Sequence, residues 1–366
     1  MSGNRLQRDG QEFVAHGFNM VGLLTPTQCG CTQGTGTTAH NHFNTATLQT
    51  LTTPPWSANM LRFQVSQRGL ADSTYSTAAK RAAYLQEIVD GVATIRAATS
   101  ATFPIVLSMQ DQSIGCGNVD PLPSQMTQDA WDILAPGFSN DPYVLFELFN
   151  EPQNTTSEWA QWANGGTGAL TDVGGAVIGH QQLVDHIRNT LGVDNVLIAD
   201  IARLGEHAEN IIALSDSGSG RGIVYGVHPY TFAPTGMGVA NNFTACESAY
   251  ETRWAFIRKP VAQGGLNAPA LITEWNYTSS DCGSDKQQYA PQFLEYCSGG
   301  ITSSSQNAVP IGILAHAGDV TNTTIAAWNG NGTISPVTCS NPPSGWGQGD
   351  GVDLQAYYAE LVAAGY

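Results

Sequence analysis

Short apolar runs recur along the chain, and each is followed by a segment in which apolar residues have a helical spacing. The runs are continuous rather than alternating, which is typical of parallel strands that are buried on both faces. We predict a strand at each of these positions: 13–22, 59–65, 104–109, 143–149, 195–199, 223–228, 270–274 and 311–316.

Helical patterns separate the strands. The clearest one covers 76–99, where Ala83, Ile88, Val92 and Ile95 lie on one apolar stripe. Further helices are predicted at 181–191, 250–262, 286–297 and 354–364.

A strand–helix unit repeated eight times predicts an α/β fold, namely a (β/α)8 TIM barrel that forms a single domain over 1–366. The helix at 354–364 is expected to close the barrel. The loops after the first and last strands, about 24–55 and about 318–351, are long. Because strand-to-helix loops lie on the catalytic face of this fold, we expect both loops to border the functional site.

The composition limits the possible partners. Hydrophobic residues make up 42% of the 366 positions and charged residues only 12%, which allows a large core and a surface of small polar groups. The net charge of −16 argues against nucleic acid and anionic membranes, because both attract basic surfaces. No apolar run approaches the roughly 18 residues of a membrane-spanning helix. A neutral polysaccharide is compatible with this chemistry.

Cysteine usage indicates an oxidising compartment. At least six of the seven cysteines fall in or beside predicted loops, where disulfides stabilise secreted proteins. No signal peptide is visible at 1–5, and we expect that it has been removed from a secreted protein. Because seven is an odd number, at least one thiol stays free or pairs between chains. The cysteines are Cys29, Cys31, Cys116, Cys246, Cys282, Cys297 and Cys339.

The first pair that we expect is Cys246 with Cys282, since the two follow neighbouring predicted strands. Pairs between the 29–31 segment and Cys116 or Cys339 stay open, because sequence does not fix disulfide connectivity.

A second interpretation of the first long loop is a zinc site. Cys29 and Cys31, followed by His40 and His42, supply four possible ligands. Their spacing is irregular for a structural zinc module, and the segment is rich in Gly and Thr. We therefore expect disulfides here, and no metal or other cofactor.

Two glutamates carry the strongest chemical signal. Glu151 follows a buried strand in the string Phe-Glu-Leu-Phe-Asn-Glu-Pro, and Glu274 ends another strand in Leu-Ile-Thr-Glu-Trp. Two carboxyl groups at the carboxyl ends of two barrel strands are what retaining glycoside hydrolysis requires. One must hold a proton for the leaving sugar oxygen, and the other must be ionised to attack the anomeric carbon.

These motifs resemble clan A of the retaining glycoside hydrolases, and within it glycoside hydrolase family 5, which contains cellulases and mannanases. That family has its acid/base in an Asn-Glu-Pro motif after strand 4 and its nucleophile at the end of strand 7. The resemblance implies that Glu151 is the acid/base and Glu274 the nucleophile. Glu151 is expected to hold its proton through a partly apolar setting and the negative charge of Glu274.

The resemblance also implies supporting roles. Asn150 would hydrogen-bond the sugar 2-hydroxyl, His228 would contact the substrate, and Tyr230 would hydrogen-bond the nucleophile. Arg62, which is expected to be buried, would lie beneath Glu274 and lower its pKa.

Glu147 is expected to share the network of Arg62 as a structural group inside the barrel. This is a hypothesis from the position of Glu147 on strand 4, and a side chain turned toward the helices would contradict it.

Aromatic residues are candidates for stacking on sugar rings. Trp275 follows the proposed nucleophile, and Trp328 lies in a Gly- and Asn-rich loop, so we expect both to serve the substrate. Trp159 and Trp162 are three residues apart and fit either a platform or core packing equally well.

The sequence departs from the family pattern at two places. The family usually ends strand 3 with a His, and Gln110 takes that place here. It also usually ends strand 8 with a Trp beneath the sugar, and here His316 or Trp328 is expected to substitute. Both departures leave the substrate identity open.

We predict a secreted, monomeric, retaining endo-β-glucanase that acts on a β-linked oligo- or polysaccharide, with its two carboxyl groups about 5–5.5 Å apart. The same machinery also fits a mannanase or an enzyme that trims chain ends. A carbohydrate-binding barrel without catalysis is the alternative from another functional class.

Overall fold

Eight parallel strands close into a barrel in the computed structural model of this protein. Each strand pairs with the next one along the chain, and the last returns to the first, where Ile313 lies opposite His16. The strands are β1 His16–Met20, β2 Met60–Ser66, β3 Ile105–Gln110, β4 Val144–Glu147, β5 Leu197–Asp200, β6 Ile223–Val227, β7 Ala270–Trp275 and β8 Gly312–Ala315. The structure describes residues 3–22, 42–73, 77–110, 120–167, 176–216, 220–230, 250–251, 253–276, 285–299, 310–320, 326–328, 334–339 and 347–366.

Helices surround the barrel. They are α1 Thr45–Thr52, α2 Gln67–Ala71, α3 Ala78–Ala98, α4 Gln125–Leu134, α5 Trp159–Asn164, α6 His180–Asp185, α7 Asp285–Cys297 and α8 Asp350–Ala363. Shorter helical turns are Ala135–Phe138, His186–Thr190, Ala202–Gly205, Ala255–Arg258 and Val261–Gln263. Three small antiparallel sheets pair Gln7–Arg8 with Gln11–Glu12, Gly166–Thr167 with Ala176–Val177, and Ala326–Trp328 with Ile334–Pro336.

The predicted barrel is confirmed, and every strand lies within a few residues of its predicted position. The prediction of a plain loop over about 24–55 was wrong, because α1 lies inside that range. Asn44 begins α1 by accepting the backbone N–H of Thr47, but the Thr-rich sequence of this helix has no clear apolar stripe. The predicted helix 250–262 is broken near Pro260, which starts a 3₁₀ turn.

The interior of the barrel has two layers. At the amino ends of the strands the inward side chains are apolar, and they form one buried cluster: Ala15, Met60, Val106, Leu145, Ile198, Val224, Leu271 and Leu314. Two positions further along five of these strands, the buried residues are polar: Arg62, Ser108, Glu147, Asp200 and Thr273. Because side chains alternate along a strand, this second layer lies directly above the apolar one.

Cys297 in α7 is buried and its thiol is free. The predicted pairings of the other cysteines stay predictions, because Cys29, Cys31, Cys116, Cys246 and Cys282 lie outside the described residues. The zinc interpretation also falls there, apart from His42. Over the parts of the chain that are described, no helix has the length and apolar character needed to cross a bilayer.

Tyr358 in α8 joins the first and last strands of the barrel. Its buried hydroxyl lies 2.6 Å from the carbonyl oxygen of Gly17 and 2.9 Å from that of Ile313, and it accepts the Gly17 N–H at 3.1 Å. The final helix therefore closes the barrel, as its sequence predicted.

Replacing this residue tests its part in closure. In Tyr358→Phe the ring remains but buried backbone groups lose their partner, so the free energy of unfolding should fall by about 1–3 kcal/mol. Urea denaturation measures this change. Tyr143→Phe, which removes only an exposed hydroxyl contact to Asp9, should leave stability nearly unchanged. Equal stability of the two variants would contradict the role given to Tyr358.

Candidate active site

Glu151 and Glu274 meet at the carboxyl end of the barrel, where β4 and β7 end. One carboxyl oxygen of each residue and one ring nitrogen of His228 lie within 4.8 Å of one another. The Glu274 side chain is 7% exposed and the Glu151 side chain 21% exposed. Glu151 is therefore the more accessible member of the pair.

The backbone holds Glu151 in an unusual conformation. Its φ is 52°, in the left-handed region that residues other than glycine seldom adopt. The preceding Asn150 donates its N–H to the carbonyl of Met109 at 2.9 Å, and the N–H of Glu151 donates to Oδ2 of Asp200 at 3.0 Å. Strain of this kind persists where neighbouring contacts fix the chain, and it is common at functional sites.

A β-bulge sets the direction of Glu274. The register of β7 against β8 shifts between Ile272 and Trp275, so strict alternation is lost there. Leu271 faces the barrel interior, and without the bulge Trp275 would face it too. Instead Glu274 reaches the interior and Trp275 turns outward. Bulges re-aim side chains in this way beside active sites.

Arg62 lies at the centre of the cluster and is completely buried. Its Nη1 donates to Oε1 of Glu274 at 2.6 Å, and its Nε and Nη2 donate to the two oxygens of Glu147 at 2.5 and 2.8 Å. Glu147 thus faces the barrel interior, in agreement with its expected structural role. Further hydrogen bonds run from Arg62 to Asn19, to Ser108 at 2.8 Å and to Asn150 at 2.6 Å.

Arg62 and Glu274 each stabilise the charged form of the other. Burial opposes the charge on Arg62, but Glu147 and Glu274 outweigh it and raise the pKa of the guanidinium. Burial likewise opposes the Glu274 carboxylate, but Arg62, and after it His228, hold the pKa of Glu274 well below its usual range. Tyr230 adds a hydrogen bond from its hydroxyl at 2.7 Å. Glu274 is therefore ionised over the ordinary pH range.

Gln64 is a contact of Glu274 that our interpretation of the sequence missed. Its Nε2 donates to Oε1 of Glu274 at 3.1 Å, and the side chain is buried. The available signal was its spacing of two from Arg62, which puts both side chains on one face of β2.

His228 is the hydrogen-bond partner of Glu151. Nδ1 of the ring lies 3.0 Å from Oε1 of Glu151, and Nε2 lies 2.9 Å from the hydroxyl of Thr273. Burial opposes the imidazolium, but the carboxyl groups of Asp200, Glu274 and Glu151 raise the pKa of His228 to about 9. The ring is completely buried, so it serves Glu151 and does not present an edge for the expected substrate contact.

The two positions that depart from the family pattern both lie beside the cluster. Gln110 is buried and donates to Ser108 at 3.0 Å, and Ser108 in turn accepts from Arg62. His316 follows β8 and is half-buried. Burial lowers its pKa despite the charge of Glu274, so a neutral ring faces the site.

The predicted aromatic platforms have different outcomes. The prediction that Trp275 serves the substrate is wrong, because its ring is 3% exposed and stacks on Phe293 at 5.8 Å. Trp159 and Trp162 are buried and pack edge to face at 5.1 Å, which supports core packing for both. The backbone of Trp328 lies in the small sheet Ala326–Trp328, and its substrate role stays a prediction.

Among the residues that the structure describes, two overlapping groups have the spacing of metal ligands. One is Glu147 with Asp200 and His228, and the other is Glu151 with His228 and Glu274. The negative charge that would attract a metal ion already faces the guanidinium of Arg62 and the imidazolium of His228. The arrangement therefore fits proton transfer and nucleophilic attack better than metal binding.

Comparison with known proteins places this cluster in context. A family model described as cellulase (glycosyl hydrolase family 5) matches residues 14–308. A search of curated proteins found no significant match.

Several solved structures share the fold. A β-glucanase from Saccharophagus degradans, in complex with cellotetraose, has 17% identity and a TM-score of 0.62 over 99% of this chain and 92% of that one. A β-mannanase from Thermomonospora fusca has 16% identity and a TM-score of 0.51 over 91% and 85%. A xyloglucan-specific endo-β-1,4-glucanase from a metagenomic library has 16% identity and a TM-score of 0.54 over 94% and 96%. At these identities the likeness establishes the fold alone.

The pKa of His228 predicts how stability depends on pH. The pKa of His228 is about 9 in the folded state and about 6.5 in the unfolded state. Protonation of His228 therefore stabilises the folded state. This stabilisation is complete below pH 6.5 and is lost as the pH rises through 9. The free energy of unfolding, measured by urea denaturation from pH 6 to 9.5, should therefore fall. In His228→Gln this part of the fall should disappear, whereas His207→Gln, outside the cluster, should keep it. An unchanged slope in His228→Gln would contradict the prediction.

Proposed function

The chain belongs to glycoside hydrolase family 5, and on that premise we propose that it is a retaining β-glucanase that cuts within a β-linked polysaccharide. One observation carries the proposal. Glu274, ionised beside Arg62, lies opposite the more exposed Glu151, whose partner is the imidazolium of His228. The two carboxyl groups thus have different environments, as a nucleophile and an acid/base require.

The reaction proceeds by two displacements. Glu274 attacks the anomeric carbon while Glu151 gives its proton to the departing oxygen, which leaves a glycosyl ester on Glu274 and a carboxylate on Glu151. Glu151 then takes a proton from water, and the resulting hydroxide attacks the anomeric carbon and releases Glu274. Arg62 and Tyr230 bind the two oxygens of Glu274, which orients the attacking carboxylate.

The separation of the carboxyl groups supports the retaining mechanism. An oxygen of Glu151 lies within 4.8 Å of an oxygen of Glu274. Retaining enzymes hold their carboxyl groups about 5–5.5 Å apart, whereas inverting enzymes leave about 6.5–9.5 Å for a water molecule. The observed separation is therefore shorter than the inverting range.

Asn150 is the proposed binding group for the sugar 2-hydroxyl. Its Oδ1 accepts from Nη2 of Arg62 at 2.6 Å, which fixes the amide and directs its NH2 group away from the guanidinium. A hydrogen bond to the 2-hydroxyl that strengthens in the transition state contributes to rate rather than only to binding.

Solved structures with the same fold indicate the class of substrate. The β-glucanase whose structure contains cellotetraose aligns with nearly all of this chain, which favours a β-glucan. A mannanase also shares the fold, so mannan is the second candidate. Gln110 and His316 stand where the family usually has His and Trp, and they are the residues that we expect to adjust the choice of sugar.

We further propose that the protein is a secreted monomer. With Cys297 free, six cysteines remain, an even number that suits disulfides in an oxidising compartment. Cys339 is disulfide-bonded, which supports this assignment.

Reducing-sugar release from cellulose, mixed-linkage β-glucan, xyloglucan and mannan tests the proposal. The wild type should release mixed oligosaccharides from a β-glucan. Glu274→Gln and Glu151→Gln should each lower the rate by about three orders of magnitude or more, because each removes one of the two reacting carboxyl groups. Glu87→Gln, on the outer helix α3, is the matched control and should keep full activity.

Other outcomes of this panel point to the alternatives. Release from mannan alone would make the protein a mannanase, and a single short product from the first minutes would indicate action on chain ends. Binding of a glucan without any release would favour a carbohydrate-binding barrel.

The retaining mechanism has a separate test in the configuration of the first product. Two displacements at one carbon restore its configuration, so a β-linked substrate should give the β-anomer first. Proton NMR spectra recorded before mutarotation distinguish the anomers. If the α-anomer appeared first, the reaction would be inverting and the role of Glu274 as a nucleophile would be wrong.

A further inference from the structure

Asp200 is a fully buried carboxyl group that contacts the proposed acid/base Glu151. It lies outside the sequence motifs that indicate the catalytic residues. It ends β5, between the strands that carry Glu147 and His228. Its Oδ2 accepts the backbone N–H of Glu151 at 3.0 Å and lies 3.4 Å from Nε2 of His228. One side chain therefore contacts both the backbone of Glu151 and the ring that hydrogen-bonds its carboxyl group.

The segment that follows Asp200 extends this contact. Arg203 and Leu204 have φ values of 54° and 59°, and their N–H groups donate to the carbonyls of Asn154 and Pro152, each at 3.0 Å. Consecutive left-handed residues other than glycine are costly. Here the left-handed conformation allows the segment after β5 to hydrogen-bond the residues that follow Glu151.

The carboxyl group of Asp200 lies beside that of Glu147. One carboxyl oxygen of each and one ring nitrogen of His228 lie within 4.8 Å of one another. Both oxygens of Glu147 accept from Arg62, so Glu147 is held in place by the guanidinium and Asp200 is free to serve the Glu151 backbone.

Gly226 makes room for the carboxyl group of Asp200. A Cβ at that position would come within 2.0 Å of Oδ1, so a side chain there would displace Asp200 from its place beside Glu151.

We propose that Asp200 is a positioning residue for Glu151, acting through the hydrogen-bond acceptor Oδ2 that fixes the Glu151 backbone rather than through its charge. The inference rests on the proposed function.

Two variants separate geometry from charge. Asp200→Asn keeps an acceptor for the Glu151 N–H but removes the charge, whereas Asp200→Leu keeps the approximate volume and loses the acceptor. Two substrates separate acid catalysis from general damage. One is the polysaccharide that the wild type cleaves, and the other is a 2,4-dinitrophenyl glycoside of the same sugar, whose leaving group departs without a proton.

We expect Asp200→Leu to lower kcat/KM for the polysaccharide about 100-fold, the scale of general acid catalysis, and to change kcat/KM for the dinitrophenyl glycoside by less than about 3-fold. Asp200→Asn should stay within about 5-fold of the wild type on both substrates, with an unchanged pH profile. Asp319→Asn is the matched control. Asp319 is a buried carboxyl group that accepts the N–H groups of Val21 and Gly22, and its replacement should not alter the ratio of the two activities.

Three results would overturn the proposal. Equal losses of Asp200→Leu on both substrates would mean only structural damage, and wild-type activity in that variant would mean no role. A loss in Asp200→Asn, or a shift of its pH profile, would mean that Asp200 acts through a negative charge. If the Leu variant does not fold, Asp200→Ala takes its place with the same expected ratio. A wild type inactive on both substrates would refute the proposed function itself, before Asp200 is tested.

Discussion

The buried guanidinium of Arg62 is the interaction on which the site depends. Two carboxylates, Glu147 and Glu274, lie in the interior of the barrel, where an unpaired charge is strongly unfavourable. Arg62 contacts both of them and also fixes Asn19, Ser108 and Asn150 through hydrogen bonds. Its charge keeps Glu274 ionised, as the proposed nucleophile must be. Its N–H groups also set the positions of residues from several strands at once. The apolar layer beneath it separates these contacts from water at the amino end of the barrel and so preserves their strength.

Much of this arrangement was predictable from residues at strand ends. Continuous apolar runs indicated the eight strands, and the polar residues that ended them indicated Arg62, Glu151 and Glu274. This works because the carboxyl ends of parallel strands meet at one face of a barrel. Tyr230 and Asn150 were expected through the family resemblance, and the structure brings both next to the carboxyl groups.

The remaining features depend on three-dimensional details that sequence patterns do not carry. Trp275 was assigned to the substrate because it follows Glu274, and a β-bulge turned its ring into the core. Asp200 ends an ordinary apolar strand with no motif around it, and its contact with Glu151 arises from the left-handed backbone at that residue. Helix α1 was missed because its threonines lack the apolar spacing on which helix prediction relies.

A cationic side chain lies beside each of the two proposed catalytic carboxyl groups, and this has a consequence for the whole proposed reaction cycle. In the proposed mechanism the negative charge begins on Glu274, beside Arg62, and after the first displacement it resides on Glu151, beside His228. The total charge of the buried cluster is therefore the same before and after the first displacement. Only the position of the negative charge changes, from Glu274 to Glu151. The protein environment therefore does not have to reorganise between the two half-reactions, and the covalent intermediate is as well solvated by the enzyme as the resting state.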